Sequence, residues 1–513
     1  MVFEFEEATI DEIQLAFKQN SLTSKQLVQY YKDAIEKWNP IIHAVILVNP
    51  DALALSEGDL RLRRSQTRCF PDCDCEEPPV PDCAKLRGIP VLLKDNIATK
   101  DKLETTSGSL ALVGSVVPRD AGVVDRLRKA GAIILGKAGL TEWANGRSTS
   151  MQPGWSARGG TVQNPYQEDA FQGSSSTGSA VSVAANLVTV SLGTETDLSI
   201  IQPCSVNGVV GIKPTVGLTS RSGVIPLTLR QDTVGPIART VSDAVHVLDV
   251  IVGYDPRDKI TLDAAQYIPA DGYKQFLTID GLSGKKIANL WHHFKPIYDN
   301  DTDSPVPNIF QNNLKTLREK GAVVLDDLVV PDFDTIVAPD KSGESVAFKH
   351  EIKRDLNAYF SNLLESPVRS LADVIAYNKE HATEEMLEEY GQDFFEDAQA
   401  TVLPSNAYTE AIQKLENFVK GFEKFMKDND LDAFVAPEHA GATIIAIGGH
   451  PGITVPAGFD PRDIPAGSDP KGYPIGILFG GLKGSERKLI EIAYSFEQAT
   501  KIRKPPIIPS QAA

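Results

Sequence analysis

The sequence predicts an α/β protein, and three observations support that class. Helix-like and strand-like patterns alternate along most of the chain, which is typical of a sheet covered by helices. The composition is that of a globular protein, with 513 residues of which 42% are hydrophobic and 23% charged. No run of about 18 apolar residues occurs, so we expect no membrane span. The chain has enough apolar material for a large core.

Two amphipathic helices open the sequence. Thr9 with Glu12 and Thr23 with Gln26 have the spacing of a capping box, in which each side chain of a pair bonds the backbone amide of the other residue. Apolar residues at helical spacing follow each pair. We assign residues 1–60 to these N-terminal helices.

A proline-rich stretch that we assign to an inserted loop at 65–86 contains four of the five cysteines: Cys69, Cys73, Cys75 and Cys83. Their spacing differs from the paired CxxC patterns of zinc sites. A surface loop with free or bridged thiols and a metal site both remain open. We favour the loop and assign no metal ligands.

Compartment is left open by the sequence. Clustered cysteines suit an oxidising, secreted or organellar setting. The first residues have no basic region followed by an apolar stretch, so we see no export peptide and slightly favour the cytoplasm.

Strand and helix patterns then follow in order. The apolar run at 88–94 predicts a short buried strand that ends on a lysine, and 123–137 predicts a helix and then a strand. Residues 180–192 predict a buried helix leading into a strand. The acidic stretch at 340–425 predicts a peripheral helical layer, and 430–505 returns to strands and a final helix.

Charge excludes two classes of partner. The chain has 51 basic and 68 acidic residues, a formal net charge of −17. That sign repels nucleic acid backbones and anionic membrane surfaces, so we expect neither as the main partner.

Two hydroxyl-rich segments are candidates for a catalytic site. Residues 173–179 read Gly-Ser-Ser-Ser-Thr-Gly-Ser directly before the buried helix, and 193–199 follow where the next strand should end. No histidine lies near them and no G-x-S-x-G motif occurs, so a serine nucleophile here would need another base. Lys94 at the end of its buried strand fits that role, and a structural lysine paired with Asp95 is the alternative.

These segments together resemble the amidase signature family. Its hallmark is a Gly/Ser-rich segment followed at a fixed interval by a segment that reads here Gly-Thr-Glu-Thr-Asp-Leu-Ser-Ile. The resemblance implies one α/β/α layered unit over 1–513, with a central mixed β-sheet covered by helices and a catalytic core at 87–260. The matching segments are 88–96, 141–144, 173–179, 193–200, 207–215, 220–226, 231–240, 449–451 and 496–500.

The resemblance also implies the catalytic residues. Ser199 is the expected nucleophile, Ser175 the bridging serine on a cis peptide bond after Ser174, and Lys94 the base. The implied reaction hydrolyses a carboxylic amide to an acid and ammonia or an amine through an acyl-enzyme, with no cofactor. The expected partner is a small-molecule amide, and a homodimer is left open.

One departure from the family pattern concerns the oxyanion hole. We expect the hole and the adjoining binding surface to involve Thr196, Asp197, Leu198 and Ser174. Family members usually have glycine where this chain has Leu198. The larger residue is expected to displace an amide or to crowd the substrate carbonyl, so Leu198→Gly should raise activity at least tenfold.

Three other functions stay open at this point. A catalytically weakened member would act as a binding protein, and an acyltransferase would pass the acyl group to an amine or alcohol. An amidotransferase A-type subunit would work within a larger complex.

Cys204 lies between the matching segments at 193–200 and 207–215. We expect this residue to pack in the core.

Overall fold

The computed structural model describes residues 3–58, 85–167, 170–462 and 472–508. The cysteines predicted to lie in the inserted loop, Cys69, Cys73, Cys75 and Cys83, fall outside the described residues. Cys204 is a buried free thiol, and it packs so closely on Gly211 that a Cβ at Gly211 would lie 2.6 Å from its sulfur. The expected packing role of Cys204 agrees with that position.

Strands occur from the N-terminal region to the last helix. In chain order they are β1 (Val45–Val48), β2 (Pro90–Lys94), β3 (Ile133–Ala138), β4 (Trp155–Ser156), β5 (Gly160–Thr161), β6 (Val190–Glu195), β7 (Val210–Lys213), β8 (Thr233–Ala238), β9 (Lys286–Asn289), β10 (Val323–Leu325), β11 (Ala433–Pro437), β12 (Gly452–Asp460) and β13 (Tyr473–Gly480).

Eleven of these strands form one mixed sheet in the described part of the chain. Its order is β1-β3-β2-β6-β8-β7-β12-β13-β11-β9-β10, and β4 pairs with β5 separately. The strands β3, β2 and β6 run parallel, as do β11, β9 and β10, and the strands between them pair antiparallel. The predicted α/β class with a central mixed sheet is confirmed.

Helices cover this sheet and continue into a separate layer. They are α1 (Ile10–Lys18), α2 (Ser24–Ile42), α3 (Gly122–Lys129), α4 (Thr177–Ala184), α5 (Ile201–Val206), α6 (Val241–Ile251), α7 (Ile260–Ala264), α8 (Trp291–Tyr298), α9 (Val306–Glu319), α10 (Phe333–Ile336), α11 (Pro339–Ser342), α12 (Glu344–Ser361), α13 (Leu371–Glu380), α14 (Leu387–Tyr390), α15 (Asp393–Ala400), α16 (Asn406–Asp428), α17 (Ala442–Gly448) and α18 (Glu486–Thr500).

Local sequence explains how several elements begin and end. Thr9 and Thr23 each form the predicted capping box, with reciprocal side-chain bonds to Glu12 and Gln26. The strand predicted at 88–94 begins at Pro90 and ends, as expected, on its lysine. In these elements the apolar run predicts the strand, and the capping side chains mark where the two N-terminal helices begin.

The centre of the sheet is fully buried. Every residue of β2, β3, β6, β7 and β8 is buried, so these strands do not need to alternate apolar and polar side chains. A second apolar cluster joins α16 and α17 to the β11 side of the sheet, and Leu198 packs against it. Within the described ranges, no helix has both the length and the apolar character needed to cross a membrane.

Candidate active site

Three segments meet at one edge of the sheet. Strands β2 and β6 are parallel neighbours, so Lys94 at the end of β2 and the loop after Glu195 at the end of β6 lie at the same edge. The serines of 174–176 directly precede α4, which packs on β2 and β6. The topology thus brings together the lysine and the two serine-bearing segments that the sequence singled out.

Lys94 is the centre of this meeting point. Its side chain is 0% exposed, and its Nζ lies 2.7 Å from Ser175 Oγ, 3.0 Å from Ser176 Oγ and 3.1 Å from the Thr194 carbonyl oxygen. Burial lowers the pKa of Lys94 to about 7, against the opposing effect of the Asp232 and Glu195 carboxylates. Near neutral pH, a large fraction of this amine is therefore unprotonated.

The surrounding bonds decide which partner faces the lone pair of the neutral amine. The Thr194 carbonyl can only accept, so it takes one N–H. The Ser176 hydroxyl donates its own proton to that carbonyl at 2.9 Å and so accepts the second N–H. Ser175 Oγ is then the partner left for the lone pair, which makes Ser175 the group able to give a proton to Lys94.

Ser199 lies on the adjoining loop between β6 and α5. Its backbone carbonyl accepts a hydrogen bond from the Ser176 amide at 3.2 Å, and the Leu198 carbonyl accepts one from Ser174 Oγ at 2.9 Å. These two bonds hold the serine-bearing loops side by side. Ser199 Oγ donates to the Asp197 carbonyl at 3.3 Å, and no hydrogen bond joins it to Ser175 in the described structure.

The Ser174–Ser175 peptide bond differs from the expectation. Among the described residues the cis peptide bond is at Leu403–Pro404, so the predicted cis bond before Ser175 is wrong and the bond is trans. A trans bond is the ordinary state of a peptide without proline. The loop reaches Lys94 in this form because Thr177 Oγ1 bonds the Ser174 carbonyl and Ser174 Oγ bonds the facing loop.

Leu198 occupies a backbone conformation suited to glycine. Its φ is +66°, in the left-handed backbone region that residues with a Cβ rarely adopt. The amides of Asp197, Leu198 and Ser199 donate no hydrogen bond to any described residue. The loop therefore keeps the shape that a glycine would give it, and its amides remain available to an external acceptor.

A carboxylate that sequence reasoning missed holds the end of this loop. Glu195 is fully buried and its Oε2 accepts from the Ile200 amide at 2.5 Å and the Ile201 amide at 2.8 Å. It thereby fixes the chain directly after Ser199, at the start of α5. An acid at the end of a buried strand was the available sequence clue.

A second network braces the other side of the loop. Thr196 Oγ1 donates to Asp232 at 2.5 Å, and Asp232 also accepts from the amides of Leu227 and Thr228. Gln231 Nε2 donates both to the Thr196 carbonyl at 3.3 Å and to Glu344 at 2.8 Å. Burial raises the pKa of Asp232 to about 6. These partners come from distant segments, and sequence reasoning missed them.

A cavity of about 440 Å³ opens at Ser199. All four residues predicted for the oxyanion and binding surface line it: Ser174, Thr196, Asp197 and Leu198. Lys94 and Ser175 are 0% exposed and do not line it. The nucleophile candidate thus faces the cavity while the proton-accepting pair is buried, an arrangement suited to covalent catalysis on a bound carbonyl.

The described part of the chain has no cluster of side chains suited to a metal ion. No group of three or more His, Cys, Asp or Glu side chains there is arranged to hold an ion. The chemistry that this geometry can perform is proton transfer and nucleophilic attack by hydroxyl groups.

Comparison with known proteins finds amidases and amidotransferase subunits. A family model described as Amidase matches residues 26–490. A probable amidase of Arabidopsis thaliana is 52% identical over 98% of this chain and 92% of its own length. A glutamyl-tRNA(Gln) amidotransferase subunit of Thermoanaerobacter pseudethanolicus is 29% identical over 97% of each chain.

Solved structures agree with this likeness. The X-ray structure of peptide amidase from Stenotrophomonas maltophilia superposes with a TM-score of 0.84 at 37% sequence identity, covering 99% of both chains. The expected fold is therefore confirmed. The family match, the relatives and this superposition together show that the chain belongs to the amidase signature family.

Proposed function

We propose that this member hydrolyses carboxylic amides with Ser199 as nucleophile, Ser175 as proton relay and Lys94 as base. The observation that carries the proposal is the contact of a fully buried lysine with Ser175 at 2.7 Å, beside a loop that presents Ser199 to the cavity. A lysine with a pKa of about 7 is matched to general base catalysis near neutral pH.

The proposed reaction begins with attack on the amide carbonyl. Ser199 Oγ bonds the carbonyl carbon while its proton passes to Ser175, whose own proton passes to Lys94. The protonated Lys94 then returns a proton through Ser175 to the amide nitrogen, and the C–N bond breaks. The acyl group stays on Ser199 until water, deprotonated by the same relay, releases the acid.

This relay requires a rotation of the Ser199 side chain. Its hydroxyl makes one long hydrogen bond, at 3.3 Å, to the Asp197 carbonyl oxygen. Turning the hydroxyl toward Ser175 therefore breaks only a weak hydrogen bond. The amides of Asp197, Leu198 and Ser199 supply the donors that stabilise the negative oxygen of the tetrahedral intermediate.

The test compares wild type with Ser199→Ala on a panel of primary and aryl amides with product analysis. Ser182→Ala is the matched control, since Ser182 is a fully buried serine of α4 whose hydroxyl has no partner in the described structure. We expect hydrolysis by wild type and Ser182→Ala and none by Ser199→Ala. Equal rates for wild type and Ser199→Ala would refute the nucleophile.

A weakened member that binds amides without turning them over is the second candidate, and Leu198 favours it. The half-buried side chain lines the cavity next to Ser199 and takes space beside the attacked carbonyl. If this candidate is correct, wild type and Ser199→Ala bind amides with the same Kd and neither forms product.

A further inference from the structure

The charged residues that line the cavity beside Ser199 are all acidic. Asp197, Asp340 and Glu344 line it, and no lysine or arginine does so among the described residues. Much of the remaining wall is apolar, with Phe348 and Phe394 among its side chains. A substrate with a free carboxylate near the reacting amide would meet acidic side chains here and no lysine or arginine to pair with.

Glu344 offers one carboxylate oxygen to a ligand in the cavity. It is the first residue of α12 and only 4% exposed. Its Oε1 accepts from Gln231 Nε2 at 2.8 Å, whereas Oε2 has no donor among the described residues. A carboxylate oxygen that receives no donor from the protein is free to accept a hydrogen bond from a ligand in the cavity.

Two cations near these walls are already paired. Arg230 approaches the Phe348 ring at 5.8 Å, and its Nε bonds Glu351 at 3.1 Å. Lys349 approaches the Phe394 ring at 5.6 Å and bonds Asp397 at 2.8 Å. Neither lines the cavity. Arg230 favours the charged form of Glu344 electrostatically, but no hydrogen bond or ion pair joins the two in the described structure, so Oε2 of Glu344 can still accept from a ligand.

Glu344 also lies close to the reacting centre. The same Gln231 Nε2 that donates to Glu344 donates to the Thr196 carbonyl at 3.3 Å, within the loop that carries Ser199. One side chain therefore separates Glu344 from that loop. If the leaving group is ammonia, everything else that the cavity holds belongs to the acyl part, and so does a group that reaches Glu344.

We propose that Glu344 binds a protonated amine on the acyl part of the substrate. The preferred substrates are then amides of amino acids with a free amine, rather than amides of uncharged or carboxylate-bearing acids. This inference rests on the proposed hydrolysis at Ser199 and specifies its substrate class. The ammonium supplies the cation and N–H donors that Glu344 Oε2 lacks.

The test uses two amides of similar shape, phenylalaninamide and 3-phenylpropanamide, at pH 7, where an α-amino group of pKa about 7.7–8.0 is mostly protonated. We expect wild type to prefer phenylalaninamide at least tenfold in kcat/KM. Glu344→Gln should lower kcat/KM for phenylalaninamide by at least tenfold more than for 3-phenylpropanamide. Glutamine keeps an oxygen that can accept from Gln231, removes the charge and replaces the other oxygen with an NH2 group.

Glu351→Gln is the matched control on the same helix. Glu351 is 2% exposed, and it bonds Arg230 and Thr228 without lining the cavity. We expect this variant to keep the wild-type preference between the two amides, whatever its effect on stability. A loss of preference as large as that of Glu344→Gln would indicate a long-range charge effect and overturn the proposal.

Other outcomes separate this inference from the proposed function. A wild-type preference for 3-phenylpropanamide, or an equal loss on both amides in Glu344→Gln, overturns the amine site alone. If no amide is hydrolysed, the proposed function fails, and calorimetry on Ser199→Ala still tests the amine site. There we expect phenylalaninamide to bind at least tenfold tighter than 3-phenylpropanamide and Glu344→Gln to abolish the difference; equal Kd values refute it.

Discussion

Leu198→Gly is the substitution that probes this site most informatively. Leu198 has a φ of +66° and lines the cavity beside Ser199. A left-handed conformation costs a residue with a Cβ about 1–2 kcal/mol, and glycine adopts it freely. The substitution therefore removes strain and an isobutyl group together, without asking the backbone to change.

The expected stability change is small because two effects oppose one another. Glycine relieves the backbone strain of about 1–2 kcal/mol. It also loses the packing of a half-buried leucine, which contributes part of the roughly 1.5–3 kcal/mol that full burial of this side chain is worth. Leu198→Ala loses the same packing and keeps the strain. We expect Tm to be similar for wild type and Leu198→Gly and lower for Leu198→Ala.

Activity should respond differently from stability. The loop already has a glycine-like backbone, so of the two effects expected for Leu198, crowding of the carbonyl is the one that fits the structure. Both variants should raise kcat/KM, at least tenfold for Leu198→Gly, which corresponds to about 1.4 kcal/mol of barrier. The gain should grow with the size of the acyl group.

The assay is kcat/KM on primary and aryl amides of increasing acyl size, with Tm measured on the same preparations. Equal kcat/KM for wild type and Leu198→Gly across the panel would refute the crowding interpretation. A gain in Leu198→Gly with none in Leu198→Ala would instead indicate that the leucine displaces an oxyanion amide.

Two further predictions follow from buried groups. Because only neutral Lys94 accepts a proton and its pKa is about 7, kcat/KM on an uncharged amide should rise through about pH 7 to a plateau. Asp232→Asn removes a charge that favours the protonated amine, so the midpoint of this profile should move to lower pH. An unshifted or higher midpoint would contradict this account. Burial raises the pKa of Cys204 well above its usual range, so its thiol is unreactive. Cys204→Ala should therefore keep kcat/KM within about twofold of wild type in a steady-state assay. Loss of turnover in a folded variant would mean that the thiol takes part in the reaction.

Much of the fold follows from short-range patterns in the sequence. The final helix occupies Glu486–Thr500 as expected, and the two N-terminal capping boxes form. Apolar runs identified strands such as β2 and β6, every residue of which is buried. What such patterns do not contain is strand order, and the pairing of β6 with both β2 and β8 follows only from the packed structure.

The candidate site shows the same division. Lys94 contacts Ser175, and Ser199 lies on the adjoining loop, at the strand ends where the family resemblance led us to expect them. The prediction of a cis peptide bond before Ser175 was wrong. Ser176 was not distinguished within a run of serines, because only the contact with Lys94 separates one hydroxyl from the next. Glu344 comes from a helix about 145 residues further along that carries no motif, so packing alone reveals it.

The most direct test of the central claim is covalent capture of the nucleophile. A fluorophosphonate probe followed by peptide mapping by mass spectrometry should place one adduct on Ser199, absent in Ser199→Ala and strongly reduced in Lys94→Ala. Ser182→Ala should label as wild type does. An adduct on another residue, or undiminished labelling of Ser199 without Lys94, would contradict a Ser199 nucleophile activated by the buried lysine.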